Sequence, residues 1–174
     1  VIDTGYLKLD LNSSLTVLLN SNIHQGSINN QGSFSSSNLF IKNGIFDNHN
    51  SSSFENIVRI TNGTLLNNGS LTASIIESNE GYILGNGTFK SDIFLNNGTI
   101  NPGKQKFSIG NLTFKSNLVN NGKIEIDIER SGKSDLIIAD KFTIGGKLLV
   151  NPISNFFKAN TSFNFLSFSS KEGS

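Results

Sequence analysis

The sequence predicts an all-β protein whose short parallel strands wind into a β-helix, a solenoid of stacked coils. The first observation is a glycine series. Gly26, Gly44, Gly63 and Gly81 recur at nearly equal intervals, and an apolar residue follows each of them within two positions. A fixed period of this kind, here about 18 residues, is typical of repeat architectures. The second observation is that the segments between turns are short and rich in Ile, Leu, Val and Phe, without a 3.6-residue period, so almost no helix is expected.

The spacing of the turns favours parallel coils over a meander of hairpins. A second series of Asn-Gly turns reads NQGSF, NNGSL, NGTF, NNGTI and NNGKI, at 30–34, 67–71, 86–89, 96–100 and 120–124. Hairpins would place turns at even intervals of about 8–12 residues, whereas these gaps alternate between about 6 and about 12. The alternation suits three unequal sides of one coil, stacked so that inward Ile, Leu, Val and Phe form ladders. About eight to nine coils would make a rod about 40 Å long.

Composition and charge exclude several classes of protein. The 26 Asn and 25 Ser residues would suit a disordered chain, but the regular apolar spacing argues against disorder. Cys is absent, which excludes disulfides and thiolate metal sites. Residues 1–87 carry a net charge of −3 and residues 88–174 carry +4. No basic cluster accompanies stacking aromatic residues, so no nucleic-acid partner is expected.

The ends and the hydropathy of the chain suggest a piece of a longer protein. Met is absent even at residue 1, so we expect a processed or excised segment. No apolar run approaches the roughly 18 residues that a membrane helix needs, and no signal peptide is recognisable.

One strand in the second half of the chain alternates strictly. In Lys123–Glu129, three Ile residues are expected to point inward and the charged residues outward. The outward carboxylates of Glu125, Asp127 and Glu129 are the one candidate Ca²⁺ set that the sequence offers. The alternative is a solvated outer face that discourages sideways strand pairing.

Candidate catalytic residues are not found, so the sequence predicts a protein that is not an enzyme. His24 and His49, the two histidines, lie in turn segments rich in Asn and Ser, and no serine-hydrolase motif surrounds any Ser. The carboxylates that precede Glu125 in the sequence are scattered rather than gathered on one face. No cofactor is predicted. The 14 Phe residues are expected to stack inside the coil, and the Asn side chains of the NNG turns to form ladders, each amide bonding those above and below.

Four segments in the second half of the chain form an ordered pattern. They are Thr99-Ile100-Asn101-Pro102-Gly103, Ile109-Gly110-Asn111-Leu112-Thr113-Phe114, Gly132-Lys133-Ser134-Asp135-Leu136 and Gly145-Gly146-Lys147-Leu148-Leu149-Val150. This pattern resembles the passenger region of the type Va autotransporters of Gram-negative bacteria. That family has a Gly-x-Leu-x-Pro-Gly element, then Ile-Gly-x-Leu-Thr-Val, a Gly-x-Ser-Asp-x-Leu strand and a Gly-Gly-x-Leu-x-Val strand. The resemblance covers about 75 residues with high specificity and the upstream repeats with low specificity. Phe114 and Phe142 depart from it, since Val or Ala is commoner there.

The resemblance implies a right-handed β-helix that serves as a stalk for export and surface display of an adhesin or toxin-like virulence factor. Residues 1–94 would be passenger coils, and residues 95–174 would be C-terminal coils with an autochaperone-type pattern that fold first. The implied partner is the protein's own outer-membrane β-barrel, which this sequence does not include. The protein would pass through the periplasm to the bacterial cell surface or be secreted. A host-cell surface, or further copies of the rod, would be its other contacts.

Two other functions stay open at this stage. An adhesin of the two-partner secretion class has coils with similar LNNGxI-like repeats, and a barrel encoded directly downstream would separate it from an autotransporter. A polysaccharide-acting β-helix enzyme shares the architecture but gathers carboxylates on one face. Turnover of pectate or a host glycan would identify that enzyme.

Overall fold

The computed structural model describes residues 1–105 and 107–172, and it is built from β-strands. We number its strands β1–β18 in chain order. Eight of them form one parallel sheet, the first sheet, with the order β1(Tyr6–Leu9), β3(Ser27–Asn30), β5(Ile45–Asn48), β8(Thr64–Asn67), β11(Tyr82–Gly85), β13(Thr99–Pro102), β15(Lys123–Ile128) and β17(Lys147–Pro152).

The other ten strands form the second sheet. They are β2(Ser14–Ile23), β4(Ser33–Lys42), β6(Ser51–Phe54), β7(Ile57–Thr61), β9(Ser70–Thr72), β10(Ile75–Asn79), β12(Thr88–Asn96), β14(Asn111–Asn120), β16(Leu136–Thr143) and β18(Leu166–Glu172). The chain alternates between the two sheets, and every pairing between named strands is parallel. The predicted parallel β-helix is therefore confirmed, with eight coils. No helix long and apolar enough to cross a membrane occurs among the described residues.

Each coil has three sides, as the turn spacing predicted. Long strands of the second sheet shift register partway along, for example between Val17 and Asn20 and between Lys90 and Ile93. The shift divides that sheet into two halves. We call the first sheet face 1, the half of the second sheet before the shift face 2, and the half after it face 3. Face 2 includes β6 and β9, and face 3 includes β7 and β10.

Coil length is regular in the first part of the stack and greater near its C-terminal end. Asn30 and Asn48 occupy equivalent places in neighbouring coils and are 18 residues apart. Asn48 and Asn67, one coil further on, are 19 residues apart. Near the C-terminal end the step is 24 residues in the pairs Asn96–Asn120 and Asp127–Asn151, and 29 residues between Ile137 and Leu166. Among the described residues, the extra length lies in the loops 103–105 with 107–110, 129–135 and 153–165, which the glycine period did not predict.

The core consists of the inward side chains of all three faces. Its largest fully buried members are Phe46, Phe89, Phe94 and Phe114. The rings of Phe89 and Phe114 stack with centroids 5.2 Å apart, and Phe94 meets Phe114 edge-on at 4.8 Å. The predicted inward Phe stacks are confirmed for these residues. Each such burial contributes about 1.5–3 kcal/mol before conformational entropy is counted.

One corner of the coil, between face 3 and face 1, carries a glycine in every coil. The series is Gly5, Gly26, Gly44, Gly63, Gly81, Gly98, Gly122 and Gly146. A Cβ on Gly44 would lie 2.7 Å from the Gly26 carbonyl oxygen, and one on Gly63 would lie 2.8 Å from the Gly44 oxygen. The left-handed backbone conformation in three of these turns belongs to the residue before the glycine: Asn43, Asn62 and Glu80, with φ of 59°, 55° and 60°. These three glycines are needed because neighbouring coils approach closely.

The C-terminal end of the stack leaves core side chains uncovered. Leu148, which occupies an inward column of face 1 next to Ile124, is 53% exposed. An apolar cavity of about 240 Å³ opens there between Ile124, Phe142, Phe165 and Leu166. The hand of the coil stays a prediction, in line with the general right-handedness of crossovers between parallel strands.

Candidate functional site: a buried carboxylate cluster in the longer coils

The carboxylates of β15 are more buried than the sequence predicted. Ile124 and Ile126 point into the core, as expected, at 6% and 0% exposure. Glu125 and Asp127 leave the opposite side of the strand, yet they are only 7% and 0% exposed. The prediction of a solvated outer face is wrong for these two residues. Alternation specifies the side of the strand, but not whether another segment covers that side.

The loop 129–135 folds back and pairs beside the end of β15. Ile128 pairs with Ser134 in an isolated antiparallel bridge, and the Glu129 N–H donates to the Lys133 carbonyl at 2.8 Å. The Asp135 N–H then donates to the Asp127 carbonyl at 2.9 Å. The longer coil therefore supplies backbone partners along the edge of β15 that β13 leaves unpaired.

The three carboxylates of the candidate Ca²⁺ set lie in separate environments. Glu125 pairs with the Lys123 ammonium at 2.6 Å, which raises the pKa of Lys123. Asp127 Oδ1 accepts a hydrogen bond from Asn151 at 3.1 Å, and Glu129 accepts one from the Ser131 hydroxyl at 2.8 Å. Within the described ranges, no group of three or more His, Asp or Glu side chains could hold a metal ion. The structure therefore does not bring Glu125, Asp127 and Glu129 together as a ligand set.

Asp135 is the central residue of this cluster. Its side chain is fully buried, Oδ1 accepts a hydrogen bond from the Gly110 N–H, and Oδ2 accepts one from the Asp127 N–H, both at 2.8 Å. Burial raises the pKa of Asp135 to about 7; the two N–H donors oppose the rise and the Asp127 charge adds to it. One carboxylate thus joins the two long loops.

Asp135 belongs to a motif that the sequence offers, but no role was predicted for it. The alternation of inward and outward residues in β16 indicates that its side chain points inward. Asp135 is in phase with Ile137 and Ala139, which both point into the core at 0% and 2% exposure. A carboxylate in an inward phase needs hydrogen-bond donors, because an unpaired buried charge is costly. That phase would have singled out Asp135 without the structure.

The two histidines each pair with an aspartate near the other end of the stack. His24 Nδ1 lies 2.7 Å from Asp3 Oδ1, and His49 Nε2 lies 2.9 Å from Asp47 Oδ1. Both imidazoles are at turns and partly exposed. Among the described residues, no hydrogen bond joins either imidazole to a serine hydroxyl. The arrangement therefore lacks the nucleophile–base contact of a serine hydrolase.

Buried Asn ladders, which the NNG turns predicted, are confirmed at two corners. Asn30 Nδ2 donates to Asn48 Oδ1 at 2.9 Å, and Asn48 Nδ2 donates to Asn67 Oδ1 at 2.8 Å. At the glycine-rich corner, Asn96 donates to Asn120 at 2.7 Å. If one coil slipped by one residue relative to the next, these bonds would break and leave buried amides without partners. The ladders therefore help to fix the register of the coils.

Comparison with known proteins does not identify a family. No protein-family model matches the chain, and neither curated proteins nor solved structures give a significant match. The chemistry of the cluster is therefore the basis for interpretation. It contains a carboxylate that accepts two backbone N–H groups and thereby holds the loop ends together.

Proposed function

We propose that this chain is the β-helical stalk of a type Va autotransporter passenger, a structural module for export and surface display. The stalk would carry an adhesin or toxin-like region, and its translocation partner would be an outer-membrane β-barrel of the same polypeptide. Its location would be the cell surface or the medium, reached through the periplasm.

The observation that carries the proposal is the contact between Asp135 and Gly110. The segments Ile109–Phe114 and Gly132–Leu136 were singled out for their resemblance to one family. In the folded chain the carboxylate of the second segment accepts a hydrogen bond from the backbone of the first. Residues that carry the resemblance therefore contact one another in adjacent coils, and this contact supports the proposal.

The architecture supports a mechanical role in export. Each coil hydrogen-bonds to the one before it; for example, the Ile45 N–H donates to the Gly26 carbonyl and the Thr64 N–H to the Gly44 carbonyl. A solenoid of this kind grows by adding coils to an existing edge. If the coils joined by Asp135 form first outside the cell, each later coil has a template, and folding prevents the chain from sliding back.

A display assay tests the proposal. The chain would be placed between a secretion signal and an outer-membrane β-barrel in a Gram-negative host, and external protease would report how much of it reaches the surface. We expect efficient display of the native chain. Ile126→Asp puts a charge into the core of coil seven and should reduce display several-fold, because burying an unpaired charge costs several kcal/mol. Lys133→Asp, in the exposed part of a loop, is the matched control and should leave display unchanged.

Two outcomes would contradict the proposal. One is retention of the folded native chain in the periplasm although the barrel itself inserts. The other is a natural coding sequence in which no barrel follows this segment; a separately encoded partner barrel would point to two-partner secretion.

A further inference from the structure

The outer side of face 3 carries a band of apolar side chains that no other part of the described chain covers. Ile75 is 43% exposed. The other apolar members are partly exposed and lie on the same side of the same sheet; they are Phe40, Ile57, Ile93, Leu95 and Val119. Contiguous apolar surface on a soluble rod is typical of an interaction site.

The band is arranged about a central ion pair. One outward column runs through consecutive coils in the order Asn22, Phe40, Arg59, Glu77, Leu95 and Val119. Arg59 Nε donates to Glu77 Oε2 at 2.8 Å, which lowers the pKa of Glu77. One basic and one acidic residue thus occupy the middle of the column, and an apolar residue lies on either side of them.

We propose that face 3 binds the same face of a second copy of this chain, antiparallel, about a two-fold axis that passes between Arg59 and Glu77. A two-fold interface brings residue i of one copy against residue j of the other, and j against i. Arg59 then meets Glu77 of the second copy, and Glu77 meets Arg59. The four charges alternate in sign around the axis.

The centre of the band is complementary in the same register. Phe40 meets Leu95 of the second copy, and Ile57 meets Ile75, so apolar groups cover one another. Farther from the axis, Asn38–Ile93 and Asn22–Val119 each pair a polar residue with an apolar one. At the ends of the band, Asn20 meets Asn117, and both are polar. A parallel, in-register arrangement would instead set Arg59 against Arg59 and Glu77 against Glu77, and juxtaposed like charges at an interface cost several kcal/mol. The charge order therefore selects the antiparallel pair.

The small contact area predicts a weak association. Six coils at about 4.8 Å each give a contact about 25–30 Å long and one sheet half wide. The buried area stays below the roughly 1,200 Å² of stable complexes. The pairing is a property of the folded rod and does not depend on the proposed role in export, so either idea can fail without the other.

Sedimentation velocity over a concentration series of the full chain tests the interface. The native chain should dimerise as its concentration rises, and Ile75→Asp should remain monomeric. The matched control is Ile45→Asp, because Ile45 is similarly exposed, at 46%, but lies on face 1. That variant should dimerise like the native chain. A native chain that stays monomeric throughout, or an Ile75→Asp variant that still dimerises, would overturn the proposal.

Charge exchange tests the two-fold geometry directly. Arg59→Glu and Glu77→Arg should each weaken self-association by about tenfold or more, since each makes the centre of the band uniformly charged. Mixed together, the two variants should form a heterodimer, and the double exchange Arg59→Glu/Glu77→Arg should restore the homodimer. Circular dichroism would establish that each variant is folded.

Stacking through the open C-terminal end is the competing mode. Leu148→Asp should leave the face 3 dimer intact. Loss of dimer in Leu148→Asp, or unaltered self-association of both single charge variants, would show that another surface mediates association.

Discussion

Asp135 and Gly110 lie 25 residues apart in the chain, and a hydrogen bond of 2.8 Å from the Gly110 N–H to Asp135 Oδ1 joins them. The second oxygen of the carboxylate accepts the N–H of Asp127. Pairing between β13 and β15 covers only Thr99–Lys123 and Ile100–Ile124, because the chain leaves the coil at the loop 103–110. The carboxylate therefore supplies an acceptor where the parallel ladder has none.

The raised pKa of Asp135 predicts that this chain is more stable at pH 5 than at pH 8. The folded-state pKa of about 7 lies above the ordinary value of 3.8, so the folded chain holds a proton that the unfolded chain releases. Stability is fully present below about pH 4 and declines as pH rises through 7. At about 1.4 kcal/mol per pH unit, we expect a loss of roughly 2–4 kcal/mol, measured by urea unfolding.

The control for this prediction is Asp135→Asn, whose amide does not titrate. Its unfolding free energy should be nearly independent of pH between 4 and 8. A native chain whose stability rises over this window would contradict the assignment of the raised pKa. The Arg59–Glu77 pair has the opposite sign: since the pKa of Glu77 is lowered, its contribution is lost only as pH falls below the usual Glu range.

Close packing at the glycine corner predicts that Gly63→Ala is strongly destabilising. The added Cβ would lie 2.6 Å from Ile41 Cγ2 and 2.8 Å from the Gly44 carbonyl oxygen. We expect a loss of about 2–4 kcal/mol, since overpacking in a tight site shifts the backbone. Gly132→Ala is the comparison, because its φ is +88° but no atom lies within 4 Å of the added Cβ. Its loss should be about 1–2 kcal/mol, the cost of left-handed backbone alone.

Much of the fold was predictable because stacking imposes a period on the sequence. The steps from Gly26 to Gly81 are the coil length, and the alternation of Ile124 and Ile126 identifies the core side of β15. The longer coils near the C-terminal end were not predictable, since their extra loops follow no spacing. Burial of Glu125 and Asp127 was missed because it depends on tertiary contacts, such as the hydrogen bond from Asn151 to Asp127, and no pattern within the strand reports them.

The candidate site and the interaction band differ in how far the sequence could reveal them. The inward phase of Asp135 was visible, but its partners Gly110 and Asp127 depend on where the loops return. Arg59 and Glu77 are 18 residues apart, one coil step, so their stacking follows from the glycine period. Which outward columns are apolar could be predicted only once the register shifts within the second sheet were known.

The buried Asn ladder predicts a larger loss for Asn48→Ala than for an exposed Asn. Removing the Asn48 amide leaves Asn30 Nδ2 without one acceptor and Asn67 Oδ1 without its coil-to-coil donor. We expect a loss of about 1–3 kcal/mol, the cost of unsatisfied buried polar groups. Asn121→Ala, which removes an exposed bond of 3.2 Å to Asn97, should cost under about 0.5 kcal/mol. Equal losses in thermal unfolding would show that burial does not govern the ladders.

Glu80 occupies the turn position that Asn43 and Asn62 hold in the two preceding coils, and replacing it should stabilise the chain. Its φ of 60° matches that of Asn43 and Asn62. A left-handed conformation costs a long side chain about 1–2 kcal/mol, whereas Asn tolerates it. Glu80 is exposed and makes no ion pair among the described residues, so little else is lost. Glu80→Asn is therefore expected to raise the unfolding free energy by about 0.5–1 kcal/mol. The reverse change, Asn62→Glu, should lower it by a similar amount, and a stabilising effect of Asn62→Glu would refute the backbone explanation.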